Sequence, residues 1–193
     1  MERVALALAH KGVEVEYVDV DPDDRSEVVR VSGQELVPVL VDEDIVLADS
    51  PVILEHIERR FPEPPLYPSD PARRAELRIF IDWFNRVWKL PPNLIDAEET
   101  KAAPDRARIA ELERLITDAL ARFEALLADR DYLFGDELSA ADITAFPFLK
   151  YAVVWEDGDE QRFHEILRDA MPLDGRYPRL EAWIHRIDAL PRA

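Results

Sequence analysis

The sequence contains no cysteine. That excludes a disulfide framework and any metal site built on thiolates, and it suits a reducing compartment. A hydrophobic run of membrane-spanning length is also absent. The apolar stretch at residues 4–9 falls far short of the roughly 20 residues that a bilayer core demands. Glu2 precedes it where a signal peptide carries positive charge, so the stretch reads as a core-facing helix of a cytoplasmic protein. Basic charge is scarce: 24 Lys and Arg stand against 41 Asp and Glu, a formal net charge of −17. A field of that sign repels phosphates, which argues against nucleic acid and membrane as partners. Any small anion the protein binds needs a local site that overrides the field. His10, His56, His164 and His185 are scattered without ligand spacing, so no metal site is expected. Internal repeats and low-complexity tracts are missing too, apart from an acidic loop at 156–160.

What is present is a globular composition, 48% hydrophobic over 193 residues, enough for one large or two small domains. Residues 2–11 have helical composition and end at Gly12, the residue favoured just past a helix C-terminus. Residues 13–20 set Val13, Val15 and Tyr17 against Glu14 and Glu16, the period of a half-buried strand. A turn at 21–24 leads to a short helix ending near Val31, and two short strands follow at 37–41 and 45–47. The most informative stretch is Leu36-Val37-Pro38-Val39-Leu40-Val41. Proline cannot donate to a ladder, so Pro38 marks the entry to a strand; a cis Val37-Pro38 bond there leaves the Val37 backbone free to face a ligand. Asp49-Ser50-Pro51 reads as a helix start, with the Ser50 hydroxyl at the N-cap, Pro51 at the first helical position, and the helix running to Arg60. Such a terminus suits a carboxylate.

A Val-Pro strand entry, an acidic turn at 42–44, a second strand and a Ser-capped helix together resemble the glutathione-binding half of the glutathione S-transferase superfamily. The resemblance implies an α/β plus all-α protein, a thioredoxin-like N-terminal domain followed by a helical-bundle C-terminal domain, with the first strand missing. It implies that glutathione, as co-substrate, pairs with the backbone of Val37 beside Pro38, that Asp49 and Ser50 hold its γ-glutamyl end, and that Gln34 contacts the glycyl carboxylate. In the family the opening strand lies between those at 13–20 and 37–41 and ends near a catalytic Tyr, Ser or Cys. Nothing from Met1 to Arg3 supplies either, so the expectation is an incomplete N-terminus with the catalytic residue upstream of Met1.

The first domain is expected over 1–62, a proline-rich linker over 63–70 and an all-helical domain over 71–193. Within the last, 71–88 carries an apolar face and ends at Pro91-Pro92. A long helix over 105–128 repeats Ile109, Leu112, Ile116, Leu120, Phe123 and Leu127 at three- and four-residue intervals. Ser139 and Asp142 form a capping box with Asp in place of Glu, flanked by Leu138 and Ile143 as a staple; they are assigned to structure. The segment from Tyr177 resembles the family's terminal helix. Trp83, Trp88, Tyr151 and Trp155 are the aromatic candidates for the electrophile pocket that the resemblance implies. Two functions stay open: a homodimeric transferase that conjugates or reduces small hydrophobic electrophiles in its complete form, or a non-catalytic binding or regulatory protein on the same fold. A third is a helical interaction module with a vestigial first domain.

Overall fold

The computed structural model describes residues 1–21 and 23–193; Pro22, in the turn expected at 21–24, lies outside the described residues. The chain divides into two compact units, 1–67 with 190–193, and 68–189. In the first unit the order is α1 (Glu2–His10), α2 (Ser26–Ser32), β1 (Val39–Asp42), β2 (Ile45–Ala48) and α3 (Ser50–Arg60). The two strands pair antiparallel as Val39↔Ala48, Leu40↔Leu47, Val41↔Val46 and Asp42↔Ile45. Gly12 and Gly33 stop α1 and α2 with φ of 65° and 74°, the left-handed conformation that glycine adopts without steric cost.

The strand expected at 13–20 does not form. Its alternating pattern is real, but a strand exists only through a neighbour's hydrogen bonds, and among the described residues the sheet consists of β1 and β2 alone. Two of the segment's apolar residues, Tyr17 and Val18, are accordingly exposed. The end of the chain does return to this unit. The Ala193 amide donates to the Ala5 carbonyl at 3.2 Å, and the Tyr17 hydroxyl donates to the Ala193 carbonyl at 2.6 Å. Arg192 pairs with Glu2 at 3.0 Å.

Helices α1 and α3 pack through Leu6, Ala7, Ile53, Leu54 and Ile57, all essentially removed from water. At the C-terminal end of this pair Lys11 Nζ reaches Glu58 Oε2 at 2.6 Å and the Pro64 carbonyl at 2.6 Å. Glu58 also accepts from the amides of Leu66 at 3.0 Å and Tyr67 at 3.3 Å. One carboxylate thereby ties α1, α3 and the proline-rich segment together, satisfying donors that burial would otherwise leave unpaired.

The second unit is helical: α4 (Pro71–Trp83), a π-helical turn (Phe84–Trp88), α5 (Leu90–Glu99), α6 (Arg106–Leu126), α7 (Ala140–Leu149), a 3-10 turn (Lys150–Ala152), α8 (Arg162–Ala170) and α9 (Pro178–Asp188). Pro91 and Pro92 do not end the helical run as the sequence predicts; they open α5, where a first-turn residue needs no N–H partner. Asp105 caps α6 by accepting from the Ala107 and Arg108 amides at 3.0 Å. The core centres on Phe84, Phe123, Phe146 and Trp183, each fully buried. Asp142, wholly buried on α7, closes the expected capping box. It accepts from the Ser139 amide at 2.9 Å and hydroxyl at 2.5 Å, from the Leu133 amide at 2.8 Å and from Trp183 Nε1 at 2.8 Å. Burial pushes this carboxyl up, and the four donors oppose the shift.

The Lys11–Glu58 pair yields a stability prediction. Glu58→Ala leaves an ammonium buried without its counter-charge and should cost about 3–5 kcal/mol in urea unfolding, whereas the apolar double change Lys11→Met with Glu58→Leu should recover most of that. A single-variant loss below about 1 kcal/mol, the range of a solvent-exposed pair, would show that the pair does not hold the unit together.

Candidate functional site

Because Val39 pairs with Ala48, the residues entering β1 and those leaving β2 meet at the open end of the hairpin. Val37 and Ser50, each two positions beyond that pair, therefore share one end of the sheet. The Val37-Pro38 bond is cis, as the sequence predicts. The ladder begins at Val39, two residues later than expected, because Pro38 has no N–H to contribute. Among the described residues no hydrogen bond engages the Val37 amide or carbonyl, and the residue is 38% exposed. An unpaired amide and carbonyl at a strand entry are what an extended peptide ligand can pair with.

Gln34 was expected to reach a ligand carboxylate. Its side chain instead folds back on its own loop: Nε2 donates to the Leu36 carbonyl at 2.5 Å and to Ser32 Oγ at 3.2 Å, and Oε1 accepts from the Leu36 amide at 2.6 Å. A planar amide with both faces of its hydrogen-bonding capacity engaged locally is a loop brace, and the loop it braces delivers Val37.

The helix start also departs from expectation. Asp49, not Ser50, occupies the N-cap of α3, with φ 74° and ψ 120° and no side-chain cap hydrogen bond. Ser50 is the first helical residue, and its hydroxyl accepts from Arg3 Nη1 at 3.2 Å. A guanidinium donor makes a stronger bond than a neutral amide does, so the contact with α1 overrides the local cap. A positive φ at a residue with a side chain is uncommon and clusters at ligand sites, where surrounding structure holds it. Arg3 itself is only 7% exposed. Burial pulls its guanidinium down to about 10, with the Asp49 carboxylate opposing, so it remains charged at neutral pH.

Sequence reasoning missed Arg3, although a signal existed. A cation in the first turn of a helix works against the helix dipole, so a basic residue there asks for a tertiary partner. With α1 and α3 both starting at this end, two positive dipole ends and one buried cation converge in a protein of net charge −17. The arrangement offers Val37 to a peptide backbone, the Ser50 hydroxyl to a carboxylate and the Asp49 carboxylate to an ammonium. No thiol-activating residue is assigned within this group.

The four aromatic candidates do not form one cluster, although Tyr151 and Trp155 meet edge-on with ring centres 6.1 Å apart. Trp88 is buried, stacked on Phe84 at 4.6 Å between ring centres. Tyr151 is buried and stacked on His164 at 4.3 Å, while His164 Nδ1 lies 2.6 Å from Asp159. Trp155 is half-buried beneath Arg168, 4.3 Å from its ring centre. Trp83 is half-buried and, with Phe80, Arg122, Ala125 and Leu126, lines an open cavity of about 440 Å³. Trp88 and Tyr151 thus serve the core of the second unit, while Trp83 and Trp155 keep accessible surface.

Residues 1–65 match the family model described as glutathione S-transferase, N-terminal domain, and residues 106–186 the one described as glutathione S-transferase, C-terminal domain. FtsZ-localized protein A of Caulobacter vibrioides is 34% identical over 176 residues, 80% of this chain and 75% of that protein. A stringent starvation protein A homolog of Coxiella burnetii is 31% identical over 149 residues, 76% of this chain and 68% of the relative. A glutathione S-transferase of Triticum aestivum is 30% identical over 155 residues, 78% and 72% of the two chains. Among solved structures, a glutathione S-transferase from Rhodospirillum rubrum superposes with a TM-score of 0.73 at 27% identity, covering 97% of this chain and 82% of that one. The beta-etherase LigF from Sphingobium sp. strain SYK-6 superposes with a TM-score of 0.75 at 25% identity, covering 97% and 89%.

The brace on the Val37 loop can be tested directly. Gln34→Ala removes the acceptor of the Leu36 amide, so hydrogen exchange at Leu36 should speed by roughly fivefold, the equivalent of one lost hydrogen bond of about 1 kcal/mol. Unchanged exchange at Leu36 would show that the loop holds its shape without the side chain.

Proposed function

The chain belongs to the glutathione S-transferase family, and from that premise we propose that its first unit binds glutathione and that the protein conjugates or reduces small hydrophobic electrophiles with it. The observation that carries this reading is the open backbone of Val37, which shares the hairpin end with Asp49 and Ser50. Glutathione is an extended tripeptide with a free ammonium and carboxylate at its γ-glutamyl end, and these three residues offer a complement to each part. Val37 pairs with the cysteinyl backbone; Ser50 and Asp49 take the carboxylate and the ammonium. Gln34 contributes by bracing the loop.

Conjugation requires the thiolate, and a free thiol has a pKa near 8.5. The protein's part is to hold the tripeptide, favour the charged sulfur and place the electrophile within reach. The positive ends of α1 and α3 favour an anion at this end of the unit. A second reading, a non-catalytic binding or regulatory protein on the same fold, is supported by two of the relatives, whose names, stringent starvation protein A homolog and FtsZ-localized protein A, do not specify a transferase. The protein is cytoplasmic in both readings, and among the described residues no helix is long and apolar enough to cross a membrane.

Titration calorimetry with glutathione, paired with turnover of a chlorodinitrobenzene, separates the two. Saturable binding that Ser50→Ala weakens by about tenfold, the worth of a hydrogen bond to a charged group, together with turnover above the uncatalysed rate, supports the transferase. Binding without turnover favours the second reading. Absence of binding removes glutathione from the site.

We propose further that the protein is a homodimer, since Val41, Ile45 and Val46 on the sheet and Ile79 and Val87 on the helical unit leave apolar surface in water. Sedimentation at micromolar concentration should report about twice the chain mass; a single species of chain mass would refute pairing.

A further inference from the structure

Arg3 lies on α1 and Lys11 at its C-cap, and their partners Ser50 and Glu58 lie on α3; each pair is separated by 47 residues along the chain. Equal offsets mean that the two helices run parallel and in step. Eight residues of helix, about 12 Å at 1.5 Å per residue, separate the polar contact at one end from the ion pair at the other. Lys11 has an evident structural task, since it neutralises Glu58 and satisfies the Pro64 carbonyl. The contact that Arg3 makes with α3 is different in kind: its acceptor is the hydroxyl of Ser50, the residue that the proposed function places against the ligand.

A serine hydroxyl has one hydrogen and two lone pairs. When a guanidinium occupies a lone pair, the hydrogen is left to point elsewhere, and polarisation by the cation strengthens it as a donor. From this geometry, and resting on the glutathione reading above, we infer that Arg3 is a positioning residue that converts the Ser50 hydroxyl into a dedicated donor for the γ-glutamyl carboxylate. Arg3 also faces Asp49, whose carboxylate acts on it electrostatically. It thus acts on both of the adjacent residues that meet the carboxylate and the ammonium of the same ligand end. Lodged 93% out of water by its 7% exposure, it adds positive potential where a carboxylate must enter against the field of a strongly acidic protein.

The consequence is a selectivity confined to one end of the ligand. Cysteinylglycine, used in its N-acetyl form so that the cysteinyl amide is kept, retains the backbone that pairs with Val37 and lacks the γ-glutamyl group, so it serves as the reference probe. Titration calorimetry of the full chain should show that Arg3→Gln weakens glutathione by about tenfold or more and leaves cysteinylglycine unchanged. Adding Ser50→Ala to Arg3→Gln should weaken glutathione no further than Ser50→Ala alone, because the two groups act as one unit. Arg3→Lys, which keeps a cationic donor and guards against a folding failure of the Gln variant, should retain more glutathione affinity than Ser50→Ala and bind cysteinylglycine as the wild type does.

Equal loss of both ligands in Arg3→Gln or Arg3→Lys would assign Arg3 a purely structural role and overturn the inference, as would full additivity with Ser50→Ala. If Ser50→Ala weakens glutathione while Arg3→Gln binds it like the wild type, the inference fails and the glutathione site stands. If the wild type binds neither probe, the site reading fails and this inference fails with it.

Discussion

The first unit depends on two polar contacts that hold α1 and α3 side by side and in step, Arg3 with Ser50 at one end and Lys11 with Glu58 at the other. Apolar packing through Leu6, Ala7, Ile53, Leu54 and Ile57 supplies the attraction between the helices, but burial of area is non-directional and would tolerate a slide of one helix along the other. Hydrogen bonds and ion pairs require particular atoms at particular distances, so the polar ends select one alignment. That alignment sets the two helix N-termini level with each other at the open end of the hairpin, where the register of β1 and β2 also delivers Val37.

The same economy governs charge. A protein with 41 acidic residues binds a small anion only where local donors exceed the general repulsion. A buried guanidinium and two positive helix ends gathered at one end of a small unit raise the local potential without altering the net charge. The cost is desolvation of the guanidinium, offset in part by the Asp49 carboxylate. Asp49 in turn holds a backbone conformation that residues with side chains seldom adopt. Cation, carboxylate and strained cap form one local arrangement, and their interdependence explains why the expected serine cap is replaced by a contact between helices.

In the second unit the organising group is an anion. Asp142 gathers donors from Leu133, Ser139 and Trp183, which joins the loop before α7, the start of α7 and the side of α9. Four donors around one carboxylate replace the water it loses on burial. Elsewhere in the unit Trp88, stacked on Phe84, and Tyr151, stacked on His164, fill the interior.

Local chemistry made much of this legible in advance. Gly12 and Gly33 end helices because glycine accepts positive φ, and the three- and four-residue spacing of Ile109 through Phe123 predicts α6 because that spacing gives a helix one apolar face. Pro38 delays a ladder because it lacks an N–H, and Ser139 with Asp142 closes a capping box because three residues bring them within reach. Each of these is decided by residues a few positions apart. What failed was decided by distant partners. Residues 13–20 alternate like a strand yet form none, since a ladder needs a neighbour. Ser50 yields its capping role to a guanidinium 47 residues away; Gln34 is the exception, its amide engaged by Ser32 and Leu36 two positions off. By itself, then, the sequence determined the helices with a clear apolar face, the glycine stops and the residue types at the site, because those follow from covalent geometry and side-chain period. Only the tertiary structure decided which donor met which acceptor, because hydrogen bonds and buried charges act over a few ångströms and are settled by whatever the fold brings there.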